Sequence, residues 1–179
     1  MTRLARFERS VLPYLDAAYN LARWLTRDDH DAQDIVQEAM LRAFRYFDSL
    51  KDTDARAWLL AIVRNTGYTW LEKNRPAEIV PFDEGGAADE AESASLWPVA
   101  ESNPEVIVLQ GAQRKLVAQS LEELPVSYRE IIVLRELEDL SYKDIARIAG
   151  VPIGTVMSRL ARGRALLRRT LEIRMRKAS

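Results

Sequence analysis

The chain has 179 residues, room for one large or two small domains, with 47% hydrophobic and 30% charged residues and a formal net charge of −1. It holds no cysteine and one histidine, His30, which excludes disulfides and thiol chemistry and argues against a zinc site. No apolar run approaches the roughly 20 residues of a membrane span, and no phosphate loop, catalytic triad or cofactor fingerprint occurs, so we expect a cytoplasmic, non-enzymatic protein without cofactor, metal or membrane insertion of its own.

From Leu4 to Leu25, apolar residues recur at spacings of three and four (Phe7, Val11, Tyr14, Leu15, Ala18, Leu21, Ala22 and Leu25), the pattern of an amphipathic helix. Pro13 falls inside it and marks either a kink or a late helix start. A second helix is predicted over 32–47, with Ala32, Ile35, Val36, Ala39, Ala43 and Phe47 facing inward. Its outward face carries Asp34, Gln37, Glu38, Leu41 and Arg45. A leucine framed by acids and an amide is a candidate docking spot, whereas scattered surface leucines are ordinary.

The polar stretch 48–54 reads as a loop, with Thr53 or Asp54 capping a third helix that ends near Asn74, before Pro76. Ala55, Leu59, Ile62, Val63, Thr66 and Trp70 are predicted inward, with Arg64, Asn65, Tyr68 and Arg75 on the other side. Aromatics beside cations suit unpaired DNA, because bases stack on rings while cations hold the backbone.

Between Pro76 and Gln113 there are eight acids and no lysine or arginine, so the rest of the chain carries +7. Two blocks separated by an acidic stretch rich in Ala, Gly and Ser argue for two domains and a flexible tether. Leu96-Trp97-Pro98 is its one apolar spot. Helices resume over 104–121, with Leu116, Val117 and Ser120 inward, and over 127–137, with Ile131, Val133, Leu134 and Leu137 inward.

The last elements are the most specific. Ser141 is placed to cap a short helix with Asp144 three residues on, Ile145, Ile148 and Ala149 face inward, and Gly150 ends the helix. Pro152 and Gly154 open a second helix whose packed stripe is Val156, Leu160, Gly163 and Leu167. Its other side carries Thr155, Ser158, Ala161, Arg162 and Ala165, a hydroxyl, guanidinium and small-residue face that suits a major groove. From Arg159 onward eight basic residues stand against one acid, Glu172. This is a helix-turn-helix with the electrostatic footprint of a phosphate-tracking surface.

The stretches Leu140-Ser-Tyr-Lys-Asp-Ile-Ala and Gly150-Val-Pro-Ile-Gly-Thr-Val-Met-Ser-Arg-Leu resemble region 4.2 of bacterial RNA polymerase sigma factors, in the extracytoplasmic-function (ECF) group of the sigma-70 family. The run from Asp31 to Phe44 resembles region 2.2, and Ala55 to Asn65 resembles regions 2.3 to 2.4. The resemblance implies promoter recognition and DNA opening by RNA polymerase holoenzyme. It implies docking of Asp34, Gln37, Glu38 and Leu41 on the β′ clamp helices, and a contact with the β flap. It further implies single-stranded −10 DNA at Tyr46, Phe47, Trp58, Arg64, Asn65 and Tyr68. Duplex −35 DNA falls to Gly154, Thr155, Met157, Ser158, Arg159 and Arg162. An anti-sigma partner is usual in the family. Two features depart from its pattern: Leu71-Glu-Lys-Asn-Arg75 replaces a denser basic cluster, and Met157 stands where Arg or Lys is frequent.

The expected architecture is therefore all-α: a region 2-like domain over 1–75, an acidic linker over 76–103 and a region 4-like helix-turn-helix domain over 104–179. Two other readings of the same residues are a helix-turn-helix regulator that binds DNA without polymerase, and a helical adaptor or inhibitor.

Overall fold

The computed structural model describes residues 1–51, 54–79 and 104–179, and of these the side chains outside 104–110. The stretch 80–103, which includes most of the expected acidic linker and Leu96-Trp97-Pro98, lies outside the described residues, as do Asp52 and Thr53.

The first predicted helix is two. Helix α1 (Arg3–Val11) and helix α2 (Leu15–Thr26) are joined by a 3-10 turn at Leu12–Tyr14 that contains Pro13. Proline cannot donate the helical hydrogen bond, so the chain tightens there and changes direction. Helix α2 ends at Arg27, whose left-handed φ of 59° lets its N–H reach back to the Arg23 carbonyl. Helix α3 (Asp29–Arg45) starts three residues before its expected position. The Asp28 carboxylate accepts from the Asp31 N–H as an N-cap, and that bond holds its pKa below the ordinary value. Helix α4 (Ala55–Asn74) is capped by Asp54, which accepts from the Arg56 N–H.

In the second half α5 (Pro104–Glu122) and α6 (Val126–Ile132) flank the Leu124-Pro125 break. Helix α6 then widens into a single π turn at Val133–Leu137 in place of the continuous helix expected there. Helix α7 (Tyr142–Ala149) is capped by Ser141, whose hydroxyl accepts from the Asp144 N–H, and it stops at Gly150 with φ 68°. Helix α8 (Ile153–Ala178) follows Pro152 and runs for 26 residues. The capping and stop residues of the helix-turn-helix act as their sequence implies.

Helices α2, α3 and α4 pack on one another, and α8 packs on α5, α6 and α7. The two groups also share a core, because α4 packs against α7 and α2 against α6. This explains why α4 buries Ala57, Leu60 and Leu71 in addition to Leu59, Val63 and Thr66. A helix packed on more than one side loses the simple apolar stripe that periodicity detects.

Candidate nucleic-acid and polymerase interfaces

On α3 the inward face is buried as expected, and Leu41 stands 65% exposed on the outward one. Asp34, Gln37 and Glu38 are exposed beside it, and Glu38 accepts from Arg42 Nε at 3.0 Å one turn on. Leu41 forms one wall of an apolar groove of about 820 Å³ between α1, α2 and α3. Leu4, Leu12, Leu15, Met40 and Phe44 line it further, with Asp16 and Asp34 at its rim. Exposed apolar surface at Leu4, Leu12 and Leu15 continues the patch. This contiguity is what sequence periodicity missed: it detects one helix face at a time, and the groove is made by three.

At the start of α3, His30, Asp31 and Asp34 lie close together. The Asp31 carboxylate already accepts from Arg75 Nη2 at 2.7 Å, and His30 Nδ1 sits 3.4 Å from Asp34. The group is a charge network at a helix start.

The residues expected at the −10 strand divide into three environments. Tyr46 is 58% exposed and Asn65 is exposed. Phe47 is buried, edge-on to Phe7 at 5.4 Å, and Trp58 is half-buried against the core. In this conformation Phe47 therefore serves packing and presents no ring to a base. Arg64 and Tyr68 form one unit, the guanidinium lying 3.7 Å from the centre of the Tyr68 ring. Both bond Glu130 of α6: Arg64 donates from Nε at 3.0 Å and Nη2 at 3.2 Å, and the Tyr68 hydroxyl donates at 2.7 Å. Burial and then the Glu130 charge push the Tyr68 phenol well above its ordinary pKa. Burial alone would lower Arg64, but the paired Glu130 carboxylate raises it. Arg75, expected near this face, bonds the Thr26 carbonyl and Asp31 instead.

In the helix-turn-helix, Gly154 and Met157 are exposed and Thr155, Ser158 and Arg162 are half-exposed at the start of α8. The packed stripe Val156, Leu160, Gly163 and Leu167 is buried as expected. Arg159 is also buried, at 9% exposure, so its guanidinium lies on the packed flank of α8 and not on the outward face. The basic C-terminal run is partly committed to the fold. Arg164 pairs with Glu136 at 2.6 Å, and Arg174 pairs with Glu123. Glu130, Arg129 and Glu138 join the two halves through side-chain hydrogen bonds. The one sequence signal for them is the run Ile131-Ile-Val-Leu134, apolar around the whole helix, which implies that adjacent charges are buried too.

Among the described residues no helix is long and apolar enough to cross a membrane. Two packed helical units, one presenting hydroxyl and guanidinium groups from the second helix of a helix-turn-helix, define a DNA-binding protein.

Residues 11–76 match the Sigma-70 region 2 family and residues 114–167 match the Sigma-70, region 4 family. The ECF RNA polymerase sigma-E factor of Escherichia coli K12 is 38% identical over 144 residues, covering 75% of this chain and 70% of that protein. The RNA polymerase sigma-H factor of Pseudomonas aeruginosa is 33% identical over 182 residues, covering 96% and 89%. Among solved structures, the sigma factor RpoE in complex with the anti-sigma factor NepR from Bartonella quintana superposes with a TM-score of 0.67 at 29% identity, covering 94% of this chain and 98% of that one. CnrH in complex with the cytosolic domain of CnrY gives 0.63 at 23% identity, covering 93% and 88%, a likeness of fold. The chain belongs to the ECF group of the sigma-70 family. It directs RNA polymerase to promoters, as a non-catalytic subunit that binds the core enzyme and promoter DNA.

Proposed function

We propose that the division of labour follows the two halves of the chain, with region 2 function over 1–75, a linker over 76–103 and region 4 function over 104–179. Asp34, Gln37, Glu38 and Leu41 dock on the β′ clamp helices of core polymerase, and the second half rests on the β flap. Tyr46, Phe47, Trp58, Arg64, Asn65 and Tyr68 take the opened −10 strand. Gly154, Thr155, Met157, Ser158, Arg159 and Arg162 take the −35 duplex, with Arg159 and Phe47 requiring a local rearrangement to reach DNA. Each half makes few base contacts, and tethering both to one polymerase multiplies their effect through effective concentration. An anti-sigma protein is a further partner, as the relative RpoE has in NepR.

The observation that carries the docking assignment is Leu41, 65% exposed within an acidic frame at the wall of a three-helix apolar groove. Leu41→Asp tests it in a core polymerase titration. Loss of a buried apolar anchor costs ~2 kcal/mol or more, so affinity should fall roughly 30-fold, with a smaller loss for Glu38→Lys or Asp34→Lys. Unchanged affinity in a helical, monodisperse Leu41→Asp protein rejects the surface.

A further inference from the structure

Helix α1 lies almost wholly before residue 11, where the match to region 2 begins, yet its first turn is bonded to the end of α3. Thr2 caps α1, its hydroxyl accepting from the Ala5 N–H, and this fixes Arg3 at the first helical position. From there Arg3 Nη2 donates to the carbonyls of Phe44 at 2.7 Å and Arg45 at 3.3 Å, across more than 40 residues of sequence. Both belong to the last turn of α3, where carbonyls lack helical partners and favour a cation beside them. The same guanidinium lies 4.6 Å from the centre of the Phe44 ring, with its Nε 3.4 Å from the Asp48 carboxylate. One turn further along α1, Phe7 takes the Phe47 ring edge-on. Tyr46 therefore stands between two residues that α1 holds, Arg45 by its carbonyl and Phe47 by its ring. The Tyr46 carbonyl also accepts from the Ser49 hydroxyl at 2.7 Å, while its side chain stays exposed.

We propose that Arg3 is a positioning residue for promoter opening: from α1 it fixes the backbone on which Tyr46 presents its ring to the opened −10 strand. The proposal rests on the assignment of Tyr46 to that strand. A ring stacks on an unpaired base only where the base arrives, and ordering a loose backbone at that moment weakens binding. Arg3 orders the end of α3 beforehand, so the Tyr46 ring is pre-organised. Its Nη2 and Nε are directed at α3 and Asp48, which makes its action indirect. Removing Arg3 should therefore matter only while the Tyr46 ring is present.

The test uses holoenzyme reconstituted from the full chain and core polymerase, on a promoter that the parent holoenzyme selects from a randomised pool. Opening is followed by permanganate reactivity of unpaired thymines, and core affinity by titration. Arg3→Met keeps the stem and deletes the charge and donors, whereas Arg3→Lys keeps the charge and loses the planar fork. We expect Tyr46→Ala to slow opening about tenfold, within the range for one lost base–ring stack. Arg3→Met should slow it by a similar factor and Arg3→Lys by less, with core affinity unchanged in all three. In the Tyr46→Ala background, Arg3→Met should have no further effect, which a merely structural role would not produce. If circular dichroism shows that Arg3→Met does not fold, Arg3→Lys carries the same cycle. Equal slowing by the Arg3 change in both backgrounds overturns the proposal, marking Arg3 as a general support or a separate DNA contact. Opening at the parent rate in the Arg3 variants, with Tyr46→Ala slow, overturns it and leaves Tyr46 at the −10 strand. A Tyr46→Ala protein that opens at the parent rate overturns it through its premise and removes Tyr46 from that site.

Discussion

Arg129 of α6 donates from Nε to the backbone carbonyl of Trp24, in α2, at 2.7 Å across 105 residues of sequence. Its Nη2 reaches the Leu25 carbonyl, and its Nη1 reaches those of Glu122 and Leu124. The oxygens of Trp24, Leu25 and Glu122 belong to the ends of α2 and α5, where helical carbonyls lack partners of their own, and that of Leu124 to the break that follows α5. One guanidinium thus caps two helices from different halves, in the place where a cation also complements the helix dipole. Burial, and then the neighbouring Arg27, pull its pKa down to about 10, which still leaves a cation at neutral pH.

Replacing Arg129 by Met keeps an unbranched apolar stem and deletes the donors. Hydrogen bonds to charged groups contribute about 1.5–3 kcal/mol, so Arg129→Met should destabilise by ~2–3 kcal/mol, with Arg129→Lys recovering only part because an ammonium lacks the fork. Thermal unfolding followed by circular dichroism reads both, with exposed Arg9→Met as control. A midpoint shift no larger than the control's removes Arg129 as the joint between the helix ends.

Within the first half, α4 approaches Leu25 of α2 closely at Gly67. A Cβ there would lie 2.7 Å from Leu25 Cδ1, and Leu25 is fully buried, so its methyl has no free volume to enter. Alanine would gain roughly 1 kcal/mol of helix propensity, but overpacking typically costs about 1–3 kcal/mol. We expect Gly67→Ala to be destabilising by ~1 kcal/mol. The double variant with Leu25→Ala should be more stable than the sum of the single changes implies, because the added methyl fills part of the space removed. Strict additivity in a denaturant-melt cycle would show that the two side chains do not compete.

The parts of this fold legible in sequence are those determined locally. Ser141, Gly150 and Pro152 bound the helix-turn-helix because capping and left-handed backbone are properties of a few adjacent residues. The stripe from Val156 to Leu167 is legible because α8 is packed along that side. Hidden were the features made by distant chain. Glu130 and Arg129 look like surface charges until α4 and α2 cover them, and Arg159 sits one residue before a core leucine, on the flank that packing claims. Phe47 carries two expectations in the sequence, an inward place on the second helix and a ring for the −10 strand beside Tyr46, and its burial edge-on to Phe7 matches the first.

Gly154 separates a structural role from a DNA role by sign. It opens α8, and a Cβ there would meet nothing within 4 Å. Alanine at such a helical position should therefore stabilise the fold by up to ~1 kcal/mol. If a phosphate approaches the free N–H groups at this helix start, the same methyl should obstruct it. Gly154→Ala is expected to raise the melting temperature and weaken −35 duplex binding by the holoenzyme several-fold. A gain in stability with unchanged promoter affinity would show that no backbone approach occurs at Gly154.

Met157 and Arg162 test the proposal that this face of α8 enters the −35 groove. Met157 is 50% exposed one residue before Ser158, and Arg162 is half-exposed one turn beyond it. A thioether can touch a thymine methyl but cannot read guanine, whereas a guanidinium bonds a guanine edge twice, which discriminates by ~1–3 kcal/mol. Arg162→Ala should therefore relax preference at one −35 position, and Met157→Arg should strengthen duplex binding and shift the preferred sequence. Selection from randomised −35 elements with reconstituted holoenzyme reads both outcomes. An Arg162→Ala protein that weakens every sequence alike marks Arg162 as a phosphate contact. A Met157→Arg protein unchanged in both affinity and preference would mean that this face of α8 does not enter the groove.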